Sequence, residues 1–139
     1  MFKYEGKQED GQQAFAPYLR EETHMYIAMN RFRVAPGSEE AFENIWKTRE
    51  RRLDEMKGYI EFHMLRGPKA DDHTLYASHT VWETEADFKA WTQSEQFRAA
   101  HAKAGENNRG KVEYLGHPQF EGFAVILHDA PDASKIAAE

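Results

Sequence analysis

The sequence predicts an α+β fold in which one four-stranded antiparallel sheet carries its helices on one face. Three observations predict it. Period-2 alternation recurs in four short segments, about residues 24–34, 59–66, 75–82 and 120–127. Helical spacing fills the interval between the first and second segments, and again between the third and fourth. A turn-rich stretch, Gly67-Pro68-Lys69-Ala70-Asp71-Asp72-His73, joins the middle two as a hairpin. The resulting order, β-α-β-β-α-β, is the ferredoxin-like split unit.

Each element has a local cause. In the first strand, Tyr26, Ala28, Asn30, Phe32 and Val34 share one face, and Ile27, Met29, Arg31 and Arg33 the other. Ala35-Pro36-Gly37 ends that strand, and Ser38 is a natural N-cap with Glu39 and Glu40 placed for the helix dipole. The helix is expected to run to about Lys57, burying Phe42, Ile45, Trp46, Leu53 and Met56, with Gly58 as its stop. Thr84 and Asp87 resemble a capping box that starts a short helix carrying Phe88 and Trp91. Ser94 looks like a second cap, opening the helix of Phe97 and His101. A polar loop from Gly105 to Gln119 then precedes the last strand.

The chain of 139 residues suits one domain over 24–128, between an N-terminal extension (1–23) and a flexible tail (129–139). The second sheet face also needs cover. Met29 and Arg31 alternate there, with Ile60, Phe62 and Met64 or Tyr76, Ser78 and Thr80 as possible companions. A half-apolar sheet of this kind is readily buried against a second copy of itself, which predicts a homodimer built as a dimeric α+β barrel.

Composition excludes several functions. There are no cysteines, so thiolate metal sites, iron–sulfur clusters and cysteine nucleophiles are ruled out. A net charge of −6 argues against nucleic-acid binding. No apolar run approaches the roughly 18–20 residues of a membrane span, and the polar N-terminus is unlike a signal peptide. A cytoplasmic protein is expected.

Three residues far apart in the chain read as one site. Phe97, Ala100, His101 and Ala104 fall at i, i+3, i+4 and i+7, which puts the His101 imidazole on the apolar face of its helix. A neutral imidazole nitrogen is a good iron ligand. The Asn30 amide can donate to a bound ligand or satisfy a nearby backbone group. Trp91 on its own reads as a core aromatic. Ten steps of about 100° leave Trp91 and His101 about 80° apart on one continuous helix, so a break near Thr92–Ser94 is required. The other histidines show no metal-ligand spacing. Arg49, Arg51 and Arg52 read as the wet face of the first helix, while Arg109 and Lys111 either meet negative ligand groups or belong to an ordinary solvated loop.

The stretches Met25-Tyr-Ile-Ala-Met-Asn-Arg-Phe-Arg-Val-Ala-Pro-Gly37 and Trp82-Glu-Thr-Glu-Ala-Asp-Phe-Lys-Ala-Trp91, continuing to His101, resemble the antibiotic-biosynthesis-monooxygenase superfamily. Within it they resemble the IsdG-type haem-degrading monooxygenases. The resemblance covers about residues 25–127 and implies a haem oxygenase. It implies His101 as proximal ligand to haem iron, Asn30 as distal hydrogen-bond donor, and Trp91 as the side chain pressing on the porphyrin. Haem would be substrate and cofactor together, opened with O₂ and an external electron donor such as a reductase, with release of iron. The alternatives are a cofactor-independent monooxygenase of this superfamily acting on an aromatic or quinol, and a haem-binding protein without turnover.

Overall fold

The computed structural model describes residues 24–108 and 112–131. The expected extension 1–23, residues 132–139 of the tail, and the candidates Arg109 and Lys111 lie outside the described residues. The elements are β1 (Tyr26–Val34), α1 (Glu39–Thr48), a 3₁₀ turn (Leu53–Glu55), β2 (Tyr59–Lys69), β3 (Thr74–Trp82), α2 (Glu85–Thr92), α3 (Glu95–Asn108) and β4 (Gln119–Ala124). The sheet order is β2-β3-β1-β4, with every pair antiparallel. This is the expected ferredoxin-like sheet, its second helical element divided in two.

Several boundaries differ from expectation; β2, for one, continues through Gly67 and Pro68 to Lys69, which shortens the expected hairpin loop to residues 70–73. The first helix stops at Thr48 rather than near Lys57, because Arg49 adopts extended backbone (φ −77°, ψ 151°). Arg51 Nη1 donates to the Trp46 carbonyl at 2.9 Å, so a side chain occupies one of the helix's orphaned acceptors. Leu53 is then buried from the 3₁₀ turn rather than from the helix. At the other end, the expected loop begins later: α3 continues through Gly105 to Asn108. Its far part pairs with the end of β1, where Ala35 N–H donates to Glu113 O and Leu115 N–H to Arg33 O, both at 2.9 Å. The last strand ends at Ala124, and Ile126 and Leu127 are exposed. The last pairing with the β1 side among the described residues is the Val125 N–H to Met25 O bond.

The assignment of sheet faces is corrected by a bulge. Tyr59 and Glu61 pair with the consecutive residues Trp82 and Val81, so Ile60 is the extra residue and the alternation of β2 changes phase there. Phe62 and Met64 therefore face the helices, together with Tyr76, Ser78 and Thr80 of β3. The outer face instead carries Ile27, Met29, Leu65, Leu75, Ala77, Val81 and Phe123, with His63, His79 and the Arg31–Glu121 pair among them.

The core between sheet and helices has two centres. Tyr26, Ala28, Leu53, Trp82 and Trp91 form one, and Val34, Phe42 and Tyr76 the other. Phe42 and Trp82 are wholly buried, each contributing about 1.5–3 kcal/mol from removal of apolar surface. Residues packed on both centres line a cleft.

Candidate active site

The cleft is floored by the sheet and walled by the helices. Ala28 and Asn30 of β1, Ser78 and Thr80 of β3, and Phe62 of β2 form the floor. One wall is Trp46, Arg49, Arg51 and Leu53; the other is Phe88, Trp91, Phe97, Ala100 and His101. All three residues singled out from the sequence therefore reach one space.

The helix break that the site requires is present. Ser94 Oγ accepts from Phe97 N–H at 3.0 Å and donates to the Trp91 carbonyl at 2.7 Å, closing α2 and opening α3 with one side chain. Upstream, Thr84 Oγ1 accepts from Asp87 N–H at 3.1 Å, as its capping role predicts. Two short helices thus aim Trp91 and His101 at a common wall, with ring centroids 6.5 Å apart.

His101 stands at the rim rather than deep inside. Ala100, only 2% exposed, is the α3 residue that enters the core, whereas His101 is exposed on its outer side. Its ring packs at 3.9 Å against Phe97. Its Nδ1 lies 2.8 Å from the Phe97 carbonyl, an acceptor only, so Nδ1–H donates. In the neutral ring, Nε2 then carries the lone pair. The surrounding protein strips enough water from the ring to lower its pKa; the Phe97 bond opposes this, and the charge on Arg49 adds to it.

Trp91 is 7% exposed and belongs to the core as well as the cleft. It meets Phe97 edge-on at 5.3 Å and Trp82 at 6.3 Å, which holds its indole in place as a wall. Asn30 is half-buried, opposite Ser78 on β3 and Phe120 on β4, with its amide at the cleft.

Two cleft residues were misread from sequence. Arg49 and Arg51 are not the wet face of a helix; only Arg52 is paired outside, with Glu50. The Arg49 guanidinium lies 4.0 Å over the Trp46 ring, and Arg51 lies 5.2 Å over Phe62. Arg49 Nε is buried with no hydrogen-bond partner among the described residues. Burial, with the neighbouring charge of Arg51, lowers the Arg49 pKa. Neither arginine pairs with a carboxylate among the described residues. The available signal was spacing: Arg49 follows Trp46 by only three residues, within reach of its ring.

The cleft beside His101 has a volume of about 90 Å³. A wider groove of about 420 Å³ adjoins it, lined by Glu43, Lys47, Arg66 and Tyr76, and shares Trp46, Arg51 and Phe62 with it. Trp46 and Phe62, stacked at 5.8 Å, are the common side chains between the two spaces.

The profile of the antibiotic biosynthesis monooxygenase family matches residues 25–103, the segment that holds Asn30, Trp91 and His101. The chain belongs to that family. Among its relatives, a haem-degrading monooxygenase of Shouchella clausii is 40% identical over 82 residues, 59% of this chain and 73% of that protein. One of the same name from Halalkalibacterium halodurans is 31% identical over 108 residues, covering 77% and 87%. The solved haem degrader MhuD of Mycobacterium tuberculosis, with two haems bound in its active site, shares the fold. It aligns at a TM-score of 0.58 and 22% identity over 76% of this chain and 99% of that one. The expected resemblance to IsdG-type enzymes thus holds at the level of family and fold. Among the described residues, no helix is long and apolar enough to cross a membrane.

Proposed function

We propose that this chain is a haem-degrading monooxygenase that binds haem in the cleft, opens the porphyrin ring with O₂ and an external reductant, and releases iron. The observation that carries this reading is the fixed tautomer of His101, which leaves the Nε2 lone pair free on a ring that lines the cleft, beside two arginines that pair with no carboxylate among the described residues. Haem, when bound, supplies the redox chemistry and is itself the ring that is opened. His101 holds the iron through Nε2. Arg49 and Arg51, already desolvated against Trp46 and Phe62, receive the negative carboxylates of the ligand. Trp91 presses its indole on the macrocycle, and the Asn30 amide donates a hydrogen bond from the sheet floor. The sequence carries no flavin or nicotinamide motif, so electrons come from a separate reductase or small reductant.

The cleft fits the donor set but not yet the volume. Ligand sites usually exceed about 300 Å³, well above 90 Å³. Haem entry therefore needs Trp46 and Phe62 to part and join the cleft to the adjoining groove. The same small volume favours a second reading, a cofactor-independent monooxygenase acting on a compact aromatic or quinol. The outer sheet face, with Leu65 and Phe123 more than two-fifths exposed, supports a homodimer. A cytoplasmic setting accords with this reading.

Titration with hemin separates the readings. The expected result is a stoichiometric Soret band that His101→Ala abolishes or shifts, and that ascorbate or a reductase bleaches under O₂ with a tetrapyrrole product visible by mass spectrometry. A stable band under turnover conditions makes the chain a haem binder without turnover. Absence of a Soret band sinks the haem reading and leaves the cofactor-independent one.

A further inference from the structure

On the outer face of the sheet, remote from the cleft, two imidazoles face each other across neighbouring strands. His63 of β2 pairs with His79 of β3, their Nδ1 atoms are 3.3 Å apart and their ring centroids 5.4 Å apart. From this geometry we infer that His63 and His79 form a binding site for a tetrahedral, zinc-class divalent cation, separate from the haem reading and independent of it.

The argument starts from the spacing. Imidazole nitrogens lie about 2.0–2.1 Å from a bound Zn²⁺, so two of them on a tetrahedral ion stand about 3.3–3.4 Å apart. The two Nδ1 atoms already have that separation. Register holds them there, since His63↔His79 is a direct antiparallel pair rather than a diagonal one. Without metal, one Nδ1–H must donate to the other ring, so a cation entering between them displaces that single shared proton. Nitrogen donors of this kind suit zinc better than calcium or magnesium, which prefer oxygen.

The surroundings admit a cation. His63 is exposed and His79 half-buried. Next in the same row across the sheet comes Met29, paired with His79, and then Glu121, already paired with Arg31. Among the described residues, no third histidine or carboxylate is close enough to complete a ligand triad. Two coordination positions are therefore left for water, or for the same pair on a second copy packed against this face.

The test is calorimetric titration of the metal-free full chain with Zn²⁺, alongside Co²⁺ absorption as a reporter of tetrahedral nitrogen coordination. Expected is saturable binding, with one ion per chain where water completes the shell or one per two chains where a second copy does. His63→Gln and His79→Gln should each weaken binding by about 10–100-fold, at least the loss seen when a supporting partner is removed from a metal site. His101→Gln should leave it unchanged. Far-UV circular dichroism checks that each variant keeps the fold. Zn²⁺ binding that survives either histidine substitution, or that is absent from the parent chain, overturns the assignment.

Discussion

The bond from His101 Nδ1–H to the Phe97 carbonyl, 2.8 Å long and one helical turn back, decides which imidazole nitrogen faces outward. That nitrogen is useful only while the ring is neutral, and its pKa is lowered from 6.5 by burial first, then by Arg49. Neutral Nε2 is accordingly available at mildly acidic pH, where an ordinary histidine is already charged. The unfolded chain binds this proton more readily, so the contribution to stability is present above about pH 6.5 and lost as pH falls through the folded value. Arg49→Met should move the His101 titration upward, toward 6.5, in a ring-proton NMR experiment. An unmoved titration would show that Arg49 is not a charge felt by His101.

The polar network beneath the adjoining groove makes a prediction of the same sign, set at lower pH. Glu43 accepts two bonds from Arg66, at 2.8 and 2.9 Å, and one from the buried Tyr76 hydroxyl at 2.5 Å. These bonds, Arg66 foremost, hold its carboxyl down to about 2. In turn, burial and then Glu43 push Tyr76 up to about 12. The Glu43 contribution is thus complete above about pH 4.5 and disappears as pH falls toward 2. Arg66→Met should raise the pH at which acid unfolding begins. Tyr76→Phe should cost about 1.5–3 kcal/mol at neutral pH, since it removes a bond to a charged group. Circular dichroism followed through acid titration and through heating checks both.

Much of this arrangement was legible in the sequence, for reasons that lie in local chemistry. Pro36-Gly37, Thr84 and Ser94 mark ends of elements because their turn and cap chemistry acts within a few residues. That is how the break between Trp91 and His101 could be anticipated. What escaped was decided by contacts distant in sequence or by phase. Arg49 and Arg51 look solvated only if the helix runs on past them; α1 instead stops at Thr48, which lays Arg49 over Trp46 and brings Arg51 to Phe62 of β2, eleven residues on. The bulge at Ile60 reverses the alternation of β2, so counting from either end misassigns the other. His101 sits one residue past Ala100, and a shift of 100° per residue separates a core position from a rim.

Gly58 tests a packing requirement that no side chain reveals. Its φ is +84°, and a Cβ there would fall 2.1 Å from Asp87 Oδ2 in the first turn of α2. Gly58→Ala therefore incurs the left-handed penalty of about 1–2 kcal/mol and must also displace Asp87. A loss of about 2 kcal/mol or more is expected, lowering Tm by roughly 5–10 °C. Gly37→Ala is the control: φ is +93°, but nothing lies within 4 Å of the added carbon. It should incur only the backbone penalty. Equal losses at the two sites would refute a clash with Asp87.

Ser94 connects stability to function more directly than any other single residue. Its hydroxyl ends α2 at the Trp91 carbonyl and starts α3 at Phe97 N–H, and those two neighbours carry the wall indole and the carbonyl that orients His101. Ser94→Ala should lower stability by about 0.5–2 kcal/mol, as loss of an N-cap does. It should also weaken hemin binding several-fold, because a relaxed junction turns Trp91 and His101 away from a shared wall. Ser94→Asp accepts the Phe97 bond but cannot donate to Trp91 O, so it should recover most of the stability and less of the affinity. Thermal melts and Soret titrations on the two variants separate these effects. Should Ser94→Asp restore both together, capping of α3 alone sets the geometry and the bond to Trp91 is incidental.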